Sequence, residues 1–143
     1  MAQSKAIWRK LIVLAIGGGL AFWAVTIAIS LLPISAEYRV AESISSIQTV
    51  WVGGLVIGMI IGSIVSYFLL RFFAKIPTKN PILKSLFLSF ITIVIILILI
   101  EAPASFRTND ALYWFLIGVV LNLPRFLVLG IVVGYLYTRM LKV

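Results

Sequence analysis

With 143 residues, 63% of them hydrophobic and 11% charged, the chain has a mean hydropathy of +1.21, and a water-soluble domain of this size has no interior large enough to hide so much apolar surface. Twelve Lys and Arg against four Asp and Glu leave a net charge of +8, but no continuous basic face is present for a nucleic acid, so the charges must be read by side of a membrane. With no Cys and no His, disulfides, thiolate metal sites and thiol nucleophiles are excluded, and the commonest general base and metal ligand are missing. No cofactor, no metal and no enzymatic activity is expected.

Charge-free stretches locate the membrane elements: Leu11 to Ile34 (24 residues), Ser43 to Leu70 (28), Ser85 to Ile100 (16) and Ala111 to Thr138 (28, interrupted only by Arg125). A bilayer core takes about 20 helical residues. Three stretches suffice, and the third does so if Ile82, Leu83 and Ala102 join it while Lys84 snorkels. The sequence therefore reads as an all-α integral membrane protein in one domain, with four transmembrane helices at about 8–33, 44–73, 82–102 and 110–138.

The first span follows Lys5, Arg9 and Lys10. It is longer than the apolar core of a signal peptide and lacks a small-residue cleavage site after it, so it reads as a retained helix. It carries Gly17 and Ala21, then Ala24 and Ala28; the second span carries Gly54, Gly58, Gly62 and Ser66, and the fourth Gly130, Gly134 and Thr138. Small residues at spacing four let backbones approach where no hydrophobic effect drives association, so the first, second and fourth spans are expected to form the packed core. The third, bulky on every face, is expected to meet lipid or a partner subunit.

Between the first two spans, Val40, Ala41, Ile44 and Ile47 fall on one side of a helical wheel with Arg39, Glu42, Ser43 and Ser46 opposite, as in a short surface helix or the first turns of the second span. Pro33 and Pro103 sit just past the expected ends of the first and third spans, Asn80 and Pro81 suit the N-cap and first turn of the third, and Thr108, Asn109 and Asp110 suit a cap on the fourth. The linker from Ala74 to Pro81, with Lys75, Pro77, Thr78 and Lys79, is a tight turn. An offset of 68 pairs Ala36, Arg39, Val52, Leu55, Gly62, Val65, Tyr67 and Arg71 with identical residues, eight identities in 37 positions. Such a match suggests two tandem, parallel two-helix hairpins.

Nine basic residues (Lys5, Arg9, Lys10, Arg71, Lys75, Lys79, Lys84, Arg139 and Lys142) fall on one side of the spans. Arg39, Arg107 and all four acids, Glu37, Glu42, Glu101 and Asp110, fall at the other. By the positive-inside rule both termini are cytoplasmic, in a cell (inner) membrane. Arg9, Lys10, Arg71, Lys75, Lys79, Lys84 and Arg139 then form a lipid-facing basic rim, with Trp8, Phe72 and Tyr137 as an inner aromatic belt and Trp51, Tyr113 and Trp114 as an outer one. The Ile-rich composition and short loops suggest a prokaryote.

Arg125 is the anomaly. It stands roughly 18 to 20 Å from either end of its span at 1.5 Å per residue, where a guanidinium costs roughly 2.5 to 3.5 kcal/mol. No acid is expected at that depth, since all four lie at the outer boundary. Asn122 shares its face, and Pro124 is expected to kink the helix and release the carbonyl of Val120. Asn122, Pro124 and Arg125 thus form an intramembrane polar site. Answered by another chain's acid, it points to a non-catalytic accessory or assembly subunit of a larger membrane complex. Lining a hydrated path, it points to a small oligomeric channel or transporter favouring an anionic solute. The expected partners are the bilayer and other membrane subunits or further copies of the chain.

Overall fold

A chain this apolar satisfies its backbone within its own segments, and the α-helix does so without a partner strand. The computed structural model describes residues 2–41, 44, 46–76 and 78–141, with side chains between Lys5 and Met140. Glu42, Ser43, Pro77 and Lys142, used above, lie outside the described residues. The elements are α1 (Ala2–Ser30), α2 (Pro33–Ala41), α3 (Ile47–Arg71), a 3-10 turn (Phe73–Lys75), α4 (Pro81–Ile96), a π-helical turn (Leu97–Glu101), α5 (Ala102–Ser105) and α6 (Ala111–Leu141). Four stretches, Lys5–Ser30, Ile47–Arg71, Pro81–Ser105 and Ala111–Met140, are long and apolar enough to cross a membrane. Ser46 caps α3 by accepting from the Thr49 N–H, and Asn80 caps α4 by accepting from the Ile82 N–H at 2.8 Å, with Pro81 in the first turn.

The helices touch in the order α3, α1, α6, α4, while α3 and α4 meet only sparingly. Glycines set the close pairs. A Cβ on Gly62 would lie 2.7 Å from the Ala15 carbonyl oxygen, one on Gly58 2.9 Å from that of Gly19, and one on Gly54 against Thr26, so α3 lies backbone to backbone on α1. The three successive glycines of α1 divide between two neighbours: Gly17 and Gly18 face Leu136 and Val133 of α6, and Gly19 faces Met59 of α3. The close contacts of α1 thus include the expected Gly17, with Gly18 and Gly19, but not Ala24 and Ala28, which are exposed; Ala21 is half-buried.

Helix α4 is not the free helix its bulk suggests. Gly130 and Gly134 of α6 pack on it, against Leu86 and Ser89 and against the backbone of Pro81 and Ile82. The buried row of the third span runs Ser85, Ser89, Ile93, Glu101, Ser105. A spacing of four drifts about 40° per step around a straight α-helix, and the π turn absorbs part of that drift, keeping Glu101 and Ser105 on the buried face. In that turn the Ala102 N–H reaches back to the Leu97 carbonyl. Pro103, expected beyond the span, lies within it, at the start of α5 directly after the π turn. The Thr108 hydroxyl donates to the Ser105 carbonyl at 2.6 Å, closing α5 instead of capping α6.

Lys84 departs from the expected lipid-facing rim. It is buried, with its ammonium donating to the Phe73 carbonyl at 2.5 Å and lying 3.7 Å from the Phe73 ring centroid. The Phe73–Lys75 turn folds over the start of α4 and offers an acceptor and a π face, so the charge is answered without snorkelling. Phe73 also stacks on Tyr137 at 4.7 Å, and with Leu14, Val65, Leu69, Ile76, Leu129 and Val133 it fills the half of the bundle nearest the chain termini. Arg9, Arg71, Lys75, Lys79 and Arg139 are exposed and Lys10 is half-buried.

Gly62→Ala is expected to destabilise the bundle by about 1–3 kcal/mol, because its methyl group meets backbone that cannot rotate away. Gly53→Ala, where a Cβ meets nothing within 4 Å, is expected to be neutral or to stabilise by up to about 1 kcal/mol through helix propensity. Unfolding in mixed detergent micelles, followed by circular dichroism, compares the two.

Candidate functional site

The half of the bundle nearest α2 is not filled. Here α3 and α4 diverge, and the space between them is a cavity of about 670 Å³ backed by α1 and α6. Its size is that of an ordinary small-molecule site. Ile57, Ile60 and Ile64 of α3, Ile95 of α4 and Ile100 of the π turn line it while remaining exposed on the outside of the bundle. The mouth is therefore an apolar slot between these two helices. Ile61 and Phe126, both buried in the core, form its floor.

The polar groups stand on the far wall. Gly118, Asn122 and Arg125 all line the cavity and follow one another at i, i+4 and i+7, hence on one face of α6. The Asn122 amide nitrogen donates to the Gly118 carbonyl at 2.9 Å, which turns its oxygen toward Arg125; Arg125 Nη1 donates to that oxygen at 3.4 Å. Among the described residues this is the one hydrogen bond of the guanidinium, and its Nε is buried without a partner. The Phe22 ring lies beneath, its centroid 6.0 Å from the guanidinium carbon, held edge-on by Phe126 at 5.4 Å. A cation over a ring face is attracted by the quadrupole, so Phe22 lowers the cost of burying the charge.

Pro124 is exposed, and α6 runs through it without interruption. The Arg125 guanidinium bonds to Asn122 and not to the carbonyl of Val120, the acceptor expected to be released by the proline.

The sequence reading put every acid at the boundary, and Glu101 corrects it. This residue is buried within the third span and lines the same cavity as Arg125. It sits against Gly118, where any side chain would occupy the place of its carboxylate. Along α6, Gly118 to Arg125 is about 10 Å, so Glu101 and Arg125 stand on one polar stripe of the cavity wall with Asn122 between them. Tyr38 of α2 donates its phenolic proton to Glu101 and packs its ring on Trp114 at 6.1 Å. Arg39, next to Tyr38, also lines the cavity.

The structure thus brings Asn122 and Arg125 together with Glu101, Tyr38, Arg39 and Phe22. Gly17, Ala21, Gly58, Gly62, Ser66, Gly130 and Gly134 are not among the lining residues, whereas Gly54 both packs on Thr26 and lines the cavity wall. Sequence reasoning missed Glu101, Tyr38 and Gly118. The spacing of Gly118 from Asn122 and Arg125 was the available signal, a gap on the polar face of α6 sized for a neighbour's side chain.

Compared with known proteins, the chain matches no family model, and no characterised protein or solved structure matches it either.

Removing the Tyr38 hydroxyl takes away a hydrogen bond to a charged acceptor, worth about 1.5–3 kcal/mol when buried. Tyr38→Phe is expected to leave the four long helices intact while raising amide hydrogen exchange in α2 at least ten-fold. Tyr113→Phe, at an exposed tyrosine, is expected to change nothing.

Proposed function

We propose that the protein is a non-catalytic, multi-pass membrane protein that takes an amphiphile from the bilayer, seating a polar head on the α6 wall of the cavity while the apolar part remains between α3 and α4. One observation carries this reading: a single cavity has an isoleucine-lined mouth on the outside of the bundle and an under-bonded guanidinium within. Neither a water-soluble solute nor a plain hydrocarbon would use both. Below the cavity the bundle is packed shut by Leu69, Leu129 and Val133, each fully buried, which suits a carrier in one of its states better than an open pore.

The reading includes an inner membrane of a prokaryote with both termini in the cytoplasm. It is supported by the basic residues at the end of the bundle that holds the termini, where Arg9, Arg71, Lys75, Lys79 and Arg139 are exposed. In that orientation the cavity belongs to the outer leaflet. The reading also takes the chain as two tandem hairpins, supported by Gly62 and Gly130, 68 positions apart, each seated on the span that precedes it.

An accessory or assembly subunit is the second reading. Its support is the outer face of α4 and the π turn, where Phe90, Ile98 and Leu99 are 61%, 63% and 68% exposed and could meet another subunit. Its original premise was that Arg125 must find an acid on another chain, and Glu101 in the same cavity removes that need.

The test uses the open space at Gly53, which lines the cavity. Purified in mild detergent, the wild type and Gly53→Ala are expected to retain about one amphiphile per chain in native mass spectrometry. Gly53→Phe, which plugs the cavity, is expected to lose it at unchanged helical content. An equal load in Gly53→Phe would refute the proposal, and extraction as a defined heteromer would favour the second reading.

A further inference from the structure

We infer that the head selected by this cavity is a phosphodiester monoanion with a hydroxylated second substituent, as in phosphatidylglycerol; the inference rests on the amphiphile reading above. Three features of the cavity wall carry it.

The first is the donor count. A guanidinium offers five N–H donors in a planar fork that matches two oxygens of a phosphate. Arg125 uses one, in a bond of 3.4 Å, and its Nε faces no acceptor although it is buried. An oxyanion entering from the cavity would meet the Nη hydrogens that Asn122 leaves idle, while Nε is enclosed by protein.

The second is charge. Among the described residues Arg39 and Arg125 line the cavity with one acid, Glu101, and with all three ionised the wall carries a single positive charge. A monoanion neutralises it in a setting where an uncompensated charge is expensive. A phosphomonoester dianion would overshoot, and a zwitterion such as phosphatidylcholine would leave the charge unanswered.

The third is the extent of the polar wall beyond Arg125. From the guanidinium, Asn122, Glu101 and Tyr38 continue toward α2 over about 10 Å. A fatty-acid carboxylate ends its chain and brings nothing to this stretch. A phosphodiester carries a second ester group there, and hydroxyls on that group would donate to Glu101 and accept from Arg39. The quaternary ammonium of choline has no N–H to offer the carboxylate.

The test is a titration of the full, delipidated chain in detergent, with bound lipid counted by native mass spectrometry. The probes are dioleoyl-phosphatidylglycerol, dioleoyl-phosphatidylethanol, dioleoyl-phosphatidylcholine and oleate. The first phosphatidylglycerol is expected to bind at least ten-fold more tightly than phosphatidylcholine and several-fold more tightly than phosphatidylethanol, which has the same charge and no free hydroxyl. Arg125→Gln is expected to erase the preference over phosphatidylcholine, and Arg125→Lys to keep part of it. Equal binding of phosphatidylglycerol and phosphatidylcholine by the wild type would overturn the inference while leaving the cavity as an amphiphile site. Equal binding of phosphatidylglycerol and phosphatidylethanol would overturn the hydroxyl assignment, and tighter binding of oleate would overturn the phosphodiester. If no probe binds and Gly53→Phe changes nothing, the amphiphile reading itself falls.

Discussion

The approach of helix backbones through glycine is the constraint on which this architecture rests. In the bilayer that the proposed role requires, apolar side chains gain little by leaving hydrocarbon, so four apolar helices hold together there only where dispersion contacts are dense. Gly58 and Gly62 bring α3 onto the backbone of α1, and Gly130 and Gly134 bring α6 onto α4. The remaining long contact, α1 with α6, joins the two pairs through Gly17 and Gly18. Nothing comparable joins α3 to α4, so the bundle closes where side chains fill it and opens where they do not. The cavity is a consequence of where the small residues were placed.

Polar groups divide along the same line. In the filled half, Lys84 is answered by the Phe73 carbonyl and ring. In the open half, Arg125 is held by a long bond to Asn122 and by the face of Phe22, with Glu101 lining the same cavity but making no hydrogen bond to it. A buried cation held by a short bond and a ring of its own chain is a structural clamp. Arg125 instead keeps idle donors beside an empty volume, and the contrast between the two cations is the chemical basis for the proposed role.

The π turn links these features. Without it, a straight helix would carry Glu101 away from α6 and the wall would hold a cation with no acid of the same chain. With it, Glu101 meets Gly118, and Tyr38 ties α2 to that carboxylate. The short helix α2 is thereby attached to the rim of the cavity by a side-chain contact as well as by the chain at its ends.

By itself the amino-acid sequence determined the number and approximate placement of the long helices, the Asn80–Pro81 start of the third, the spacing-four glycines and the position of Arg125 midway along the fourth. Each follows from composition, local capping or a count along the chain. It did not reveal which helix each glycine would face, and so Gly130 and Gly134 were assigned to a core without α4. Nor did it reveal that Lys84 would be covered, since its partner is a carbonyl eleven residues away presented by a turn. Above all it misjudged Glu101. Pro103 reads as an end because proline ends α-helices, and only the packed structure decided that a wider turn would carry the helix past that point. Helical periodicity specifies a face, but the neighbour that face meets, and any change of register along it, is decided by the packing of all four helices at once.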